Sequence, residues 1–193
     1  LMPTATGHRR NVLDLGCGNG WATRWMHGIV SEAGGAAAGV DLAPEMVLKA
    51  QQASPETDGL RFLCADFSLL PFDDGSFEQI FSMEAIYYVS DVPGTLKELQ
   101  RVLKSDGTIT LCMDYYAENP YCLGWPEMVG LSMQLFTERQ WVEMLVEAGF
   151  RETRAFRCYD ARPIPGGMDP AEAEELRHFR EEIGSLTVQA RKG

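Results

Sequence analysis

The sequence predicts an α/β fold: a doubly wound, seven-stranded, mostly parallel sheet with its last strand antiparallel. Three observations carry that expectation. Over the first two thirds of the chain, short apolar runs alternate with helical patterns, which calls for parallel strands joined by crossover helices on both faces. The chain then ends differently, with two strand patterns separated by a Pro/Gly turn and an acidic helical segment, a connection that allows a final antiparallel strand. The 193 residues are 45% hydrophobic and 23% charged, enough apolar material for one sizeable core.

The strand patterns fall at residues 12–15, 36–40, 60–64, 79–83 and 108–113. The first four are short and almost continuously apolar, as expected of strands buried on both faces. Between the first two, Trp21, Trp25 and Ile29 recur at helical spacing beside Ala22, Met26 and Val30, and the tryptophan pair is expected in the core. Pro44 fits a first helical turn before Met46, Val47 and Ala50. Asp91 can cap a helix carrying Leu96, Leu99, Val102 and Leu103, with a stop expected near Gly107. The clearest helix start is Thr137: Gln140 completes a reciprocal capping box, and Phe136 and Trp141 occupy the staple positions. That helix should end at Gly149, which can take the left-handed conformation. Residues 151–159 and 185–191 read as the sixth and seventh strands, with a turn at 163–167 and an acidic helix over 169–182. The expected organisation is one domain over 1–193: a core at 11–115, an insert at 116–136 forming a helical cover over the sheet, and a C-terminal helix with strands at 137–193.

Composition narrows the function. Seventeen basic against 28 acidic residues leave a formal charge of −11, which disfavours nucleic acid and anionic membranes, since both require clustered Lys and Arg. No apolar run reaches the length of a bilayer span and no signal peptide opens the chain. The five cysteines, Cys17, Cys64, Cys112, Cys122 and Cys158, are odd in number and contain no C-x-x-C pair, and the three histidines are scattered. A disulfide scaffold or zinc site is not expected, and a reducing, cytoplasmic setting is.

The chemistry concentrates at residues 12–21, where a buried strand runs into Gly16-Cys17-Gly18-Asn19-Gly20 and then a helix. Glycines there permit positive φ and close approach of a ligand to the backbone, and the helix start offers free N–H groups. Asp41 closes the second strand 21 residues after Gly20; an acid there can accept hydrogen bonds from both hydroxyls of a ribose, or cap the helix that begins near Pro44. Asp66, after the third strand, can accept from an adenine amino group with Phe67 beside the ring, or serve as a solvated turn residue. These features suit any adenosine-containing cofactor.

Further segments follow in a telling order: D-L-G-C-G-N-G at 14–20, G-V-D-L at 39–42, A-D-F-x-x-L-P-F at 65–72, D-x-S-F-E at 74–78 and R-V-L-K-x-D-G at 101–107. Together they resemble class I S-adenosylmethionine-dependent methyltransferases, and most of all the small-molecule branch that includes the ubiquinone-biosynthesis type (methyltransferase type 11). The resemblance covers roughly residues 11–115. It implies S-adenosylmethionine as cofactor and a seven-stranded sheet with only the last strand antiparallel. Carried over by position, Gly16, Cys17 and Gly18 would lie under the methionine part, with Asp14 orienting that loop and facing the ammonium group. Asp41 would hold the ribose, Leu42 would lie against the adenine, and Ala65, Asp66 and Phe67 would frame it. Met83 would approach through its backbone, leaving Glu84 and Tyr88 near the reacting methyl group. Family members carry helices before the first strand that help roof the pocket. Only ten residues precede Asn11, and the chain opens on Leu1, so the expectation is an incomplete N-terminus or an open pocket.

The expected reaction is methyl transfer to a small-molecule acceptor. Glu84, Tyr87, Tyr88 and Asp114 sit at or just after the carboxyl ends of the fourth and fifth strands, the edge where open α/β sheets bind ligands, and no one of them stands out as a base. Cys17 is expected to pack as a small apolar residue. The insert and its flank supply Tyr115, Tyr116, Tyr121, Trp125, Met128 and Met133, which suit an apolar or cationic acceptor as well as they suit plain cover. Two alternatives remain: a nicotinamide-dependent oxidoreductase, which the glycine loop and Asp41 would also serve, and a non-catalytic S-adenosylmethionine-binding protein.

Overall fold

In the computed structural model, which describes residues 8–54 and 57–193, the alternating apolar runs form one sheet of seven strands in the order β3-β2-β1-β4-β5-β7-β6. The strands are β1 (Asn11–Leu15), β2 (Ala36–Asp41), β3 (Leu60–Cys64), β4 (Phe77–Met83), β5 (Leu103–Met113), β6 (Phe150–Cys158) and β7 (Ser185–Lys192). Neighbours from β3 to β5 pair in parallel, and β7 runs antiparallel to both β5 and β6. The strand order reverses between β1 and β4, and a reversal of this kind opens a crevice at the carboxyl ends.

Side-chain alternation along β1 builds two core layers. Val12 packs with Ala37 and Phe81 under α1 (Trp21–Val30), through Ala22, Met26 and Val30. Leu13 and Leu15 face the other way, into the large core formed with α3 (Val92–Val102) and α5 (Glu138–Glu147), where Leu96, Leu99, Trp141 and Leu145 are fully buried. Truncating one of these leucines to alanine costs about 2–5 kcal/mol in such a setting. Helix α2 (Pro44–Gln52) seats Val47 and Ala50 against Phe62 and Cys17.

The local signals for helix ends hold. Asp91 Oδ1 accepts from the Gly94 N–H at 2.9 Å. At α5, the Gln140 N–H donates to Thr137 Oγ1 at 3.2 Å and the Thr137 N–H donates to Gln140 Oε1 at 2.8 Å, with the Phe136 and Trp141 rings in edge contact at 5.4 Å. Gly149 has φ +92°.

Four expectations are corrected. Helix α3 ends at Val102, not near Gly107, and β5 begins at Leu103, because Leu103 pairs with Phe77 and is wholly buried. Strand β3 is an edge strand with Arg61 and Cys64 exposed, not buried on both faces. Trp21 and Trp25 are 50% and 49% exposed: the buried stripe of α1 is the one through Ala22 and Met26, and the tryptophans lie outside it. The insert at 116–136 is mostly irregular, its one helix being the five-residue α4 (Trp125–Val129). Tyr116 anchors it by donating to the Gly184 carbonyl at 2.7 Å. The acidic segment forms α6 (Pro170–His178), capped by Asp169, and closes in a π-turn over Phe179–Ile183.

Candidate functional site

The carboxyl end of β1 turns sharply at Gly16, which has φ +77°. A Cβ built there would lie 2.1 Å from the Ala85 Cβ. The glycine is therefore demanded by the turn after β4 as well as by its own backbone angle. The Gly16 and Cys17 N–H groups both donate to the Val40 carbonyl, at 2.8 and 3.0 Å, and so fasten the loop to β2. Gly18 differs: at φ +53°, the nearest neighbour of a built Cβ is Met46 Cε at 3.5 Å. Its side faces open space. A hollow of about 240 Å³ lies there, lined by Asp14, the loop residues Gly16, Cys17, Gly18 and Asn19, Trp21, Ala22, Met46 and Met83. A larger hollow of about 630 Å³ occupies the opposite, amino-terminal edge of the sheet, near Asn11, Gly59 and Lys104. The smaller one holds the glycine loop and the helix start, and the switch point of the sheet favours it.

Two carboxylates brace the loop. Asp14, almost fully buried, accepts the Thr23 hydroxyl at 2.6 Å and the Thr23 N–H, joining β1 to the first turn of α1. Burial pushes its pKa up to about 6 against those bonds. Asp41 Oδ2 accepts from the Gly18 N–H at 2.8 Å, and Oδ1 from the Ala43 N–H at 2.9 Å. Asp41 therefore braces the loop and the turn into α2 but does not cap that helix, whose N-cap is Ala43 with no side-chain cap bond; each oxygen keeps one further lone pair for a ligand hydroxyl. Cys17 is buried and its thiol is pushed up to about 12, chiefly by that burial. It packs and has no reactive character.

Beside the loop, Leu42 is 63% exposed at the end of β2, and Ala65, half-buried, follows β3. Phe67 is buried with its ring edge 3.7 Å from the Cβ position on Gly16. Asp66 is exposed, and its Oδ1 accepts the Ser68 N–H at 2.8 Å and the Ser68 hydroxyl at 2.7 Å, which lowers its pKa. One of its oxygens is therefore committed to a turn. The structure brings every sequence-predicted position, from Asp14 to Met83, to one edge.

Trp21 and Met46 line the hollow without having been expected there. The helical period of Trp21 matched the core stripe, and its position one residue after Gly20 was the signal that it lies at the mouth.

Across the switch point, Glu84, Tyr87, Tyr88 and Asp114 cluster at the ends of β4 and β5. The Tyr87 hydroxyl donates to Glu84 Oε2 at 2.8 Å and the Asp114 N–H to Glu84 Oε1 at 2.7 Å. Tyr115 stacks on Trp125 with centroids 6.2 Å apart. Among the described residues no group of three or more His, Cys, Asp or Glu could hold a metal ion, and no helix is long and apolar enough to cross a membrane.

A glycine-loop site at the switch point of a sheet of this order, with β7 reversed, matches the arrangement that the sequence resemblance to S-adenosylmethionine-dependent methyltransferases implies. Residues 13–111 match the methyltransferase domain family, and the chain belongs to that family. S-adenosylmethionine is its cofactor, and the loop, the two carboxylates and the open faces of Gly18 and Leu42 fit it. The nicotinamide alternative falls with this result. Malonyl-[acyl-carrier protein] O-methyltransferase of Halorhodospira halophila is 42% identical over 102 residues, 53% of this chain and 34% of that protein. The match to the same enzyme of Erwinia pyrifoliae covers 37% of its length, so the shared segment amounts to about a third of these curated relatives. In a solved complex from Haloferax volcanii, the methyltransferase bound to the Trm112 methyltransferase activator superposes with a TM-score of 0.87 at 32% identity, over 98% of this chain and 84% of that one. A Mesorhizobium loti methyltransferase shares the fold, with a TM-score of 0.72 at 22% identity over 99% of this chain and 94% of that one.

Proposed function

We propose that this chain transfers a methyl group from S-adenosylmethionine to a small-molecule acceptor. The observation that carries the reading is the backbone loop Gly16–Gly18 tied to Asp41 and opening on the hollow beside Met83. In this reading Gly16, Cys17 and Gly18 underlie the methionine part and Asp14 faces its ammonium group. Asp41 takes the ribose hydroxyls on its spare lone pairs. Leu42, Ala65, Asp66 and Phe67 frame the adenine, and Met83 closes the inner wall. Bound there, the cofactor supplies a methyl group already activated on a sulfonium. The protein's share is to align the acceptor with that group and to keep water out.

The charge of −11 supports a small acceptor over a polyanion. The five free cysteines support a reducing, cytoplasmic setting. The whole chain acts as one domain in this reading. Similarity to the Haloferax protein over 98% of this chain also favours an activator subunit of the Trm112 kind as partner.

Two measurements test this. S-adenosylhomocysteine at saturation should raise the melting temperature by mass action. Labelled methyl groups should pass to a small-metabolite extract, with total RNA and a protein extract as parallel arms, each run with and without a Trm112-type protein. Transfer confined to the macromolecular arms would sink the small-acceptor assignment. Cofactor binding with no transfer in any arm would leave the non-catalytic alternative.

A further inference from the structure

The turn after β4 holds a carboxylate that the cofactor loop does not use. Glu84 has φ +54°, a conformation that a Cβ disfavours. Strained residues of this kind gather at functional sites. Its N–H donates to the Cys112 carbonyl at 3.0 Å, pinning the turn to β5. The residue before it, Met83, lines the cofactor hollow, and the residue after it, Ala85, presses on Gly16.

Both carboxylate oxygens of Glu84 receive a donor, one from Tyr87 and one from the Asp114 N–H. Two donors favour the ionised form. Burial, and next the Asp114 carboxylate, favour the neutral acid and prevail, raising the pKa to about 8. Among the described residues the groups that face Glu84 are Cys112 from β5, Asp114 just after it, Tyr87 from its own turn and Cys122 from the insert, and none of these is a cation.

A path leads outward from this buried acid. Tyr87 is buried, with its ring 4.7 Å from Tyr88 and 5.3 Å from Tyr115. Tyr88, in ring contact with Tyr87, is 42% exposed. Two phenols in ring contact thus stand between the open edge and Glu84, and the inner one is hydrogen-bonded to it. A residue that merely locked the turn would need neither an ionisable group nor a phenol on its second oxygen.

We propose that Glu84 is the proton acceptor for the methyl transfer, reached through the hydroxyls of Tyr88 and Tyr87, and that the methyl acceptor is a neutral, proton-bearing nucleophile such as a hydroxyl or phenol. This rests on the methyl-transfer reading above. In the balanced step the nucleophile's electron pair forms the bond to the methyl carbon while the sulfur–methyl bond breaks with its pair staying on sulfur. The nucleophile's proton passes to Tyr88, that of Tyr88 to Tyr87, and that of Tyr87 to the Glu84 carboxylate. A carboxylate acceptor has no proton to give and would meet Glu84 and Asp114 as like charges.

The test uses the full chain, as wild type and as Glu84→Gln, Tyr87→Phe and Tyr88→Phe, each confirmed folded by its melt, with S-adenosylhomocysteine bound for the titration and methyl-labelled S-adenosylmethionine supplied for the transfer assay. Infrared titration should show a protonated carboxyl band, missing in E84Q, that fades as pH rises through about 8. Labelled transfer to a small-metabolite extract should rise with pH over the same range. E84Q should lower it about 100-fold and flatten the profile, and Y87F and Y88F should lower it about tenfold or more. Products should carry the methyl group on oxygen of formerly neutral groups. An E84Q rate within twofold of wild type with an unchanged profile overturns the proposal, as does label found only in carboxylic esters. Should E84Q fail to fold, the Tyr87→Phe and Tyr88→Phe rates decide in the same way. No product from the extract at any pH overturns both this proposal and the transfer reading, whereas product with an indifferent Glu84 overturns this one alone.

Discussion

The two halves of the site edge are built by different means. On the β1–β2 side, the groups that shape the hollow are mostly backbone: Gly16 and Cys17 N–H on the Val40 carbonyl, and Gly18 N–H on Asp41. On the β4–β5 side they are side chains that meet across long stretches of chain, as Glu84 meets the Asp114 N–H and Tyr116 meets Gly184. A backbone cradle serves one cofactor and needs particular residues at fixed offsets. A side-chain wall can be refitted to another acceptor without touching the cradle. The family match ends at residue 111, so it takes in the whole cradle side but leaves out Asp114, Tyr115 and Tyr116 on the other.

The largest expected effect attacks the cradle. Gly16→Ala places a Cβ 2.1 Å from Ala85 and forces a side chain into φ +77°. Neither neighbour is a flexible side-chain end, so the loop must move. Stability should fall by roughly 2–4 kcal/mol, and affinity for S-adenosylhomocysteine, measured calorimetrically, should fall about 100-fold or more. Gly18→Ala sharpens the contrast: with only Met46 nearby, its strain is one of backbone angle, and a smaller loss of about 1 kcal/mol is expected. Equal losses at the two positions would break the distinction between a packing glycine and a ligand-facing one.

On the other half, pH is the sharper probe. The folded-state pKa of Glu84 is raised from 4.5 to about 8, so the native state binds more protons than the unfolded state between those values. Stability must then fall as pH rises through that window and level off above about 8. Asp14 acts likewise, but only up to about 6. Asp114, raised by burial, acts in the same direction, so the comparison with Glu84→Gln is what isolates Glu84 over the span from pH 6 to 8. Across it the wild type should lose roughly 2 kcal/mol relative to Glu84→Gln in paired denaturant titrations. Parallel curves for the two proteins would show that Glu84 is ionised in the fold at neutral pH.

Asp41→Ala tests the seam where cradle and fold share one carboxylate. Read from sequence, Asp41 can accept from a ribose, cap the helix near Pro44, or do both, and a cap alone would leave affinity unchanged. With both oxygens holding backbone N–H groups, the mutant should lose about 1–2 kcal/mol of stability. It should also lose about ten- to a hundred-fold in cofactor affinity. A loss of stability with unchanged affinity would leave Asp41 as a brace alone.

Asp41 also shows why some of this site was legible in the sequence. Strand ends followed by Gly, Asp or Pro are local events, decided by φ and by the nearest N–H, so β1, β2 and the glycine loop could be placed from residues 12–44. The capping box at Thr137 was legible for the same reason. What escaped was set by partners distant in the chain. Leu103 is a strand residue because Phe77 lies beside it, although the helical period through Leu99 runs on into it. Glu84 and Asp114 were expected at the same edge, but no spacing announced that the Glu84 carboxylate would take the Asp114 N–H. On α1, the stripes through Trp21 and through Ala22 differ by one residue. Only packing against β1 and β2 selected the second.

That last ambiguity yields the smallest and most pointed comparison. Trp21 and Trp25 are one helical turn apart on α1 and equally exposed, yet only Trp21 lines the hollow. Neither belongs to a core cluster, so Trp21→Ser and Trp25→Ser should each shift stability by no more than about 0.5–1 kcal/mol. Their effects on cofactor binding should part. Losing the indole at position 21 strips one wall from a hollow of about 240 Å³ and should weaken S-adenosylhomocysteine about three- to tenfold, the scale of a partly buried apolar contact. The same change at position 25 should leave affinity within twofold. Calorimetric titration of both variants reads this directly. If they weaken binding alike, the exposed tryptophan face acts as one unit and the cofactor site extends a full turn further along α1 than the hollow does.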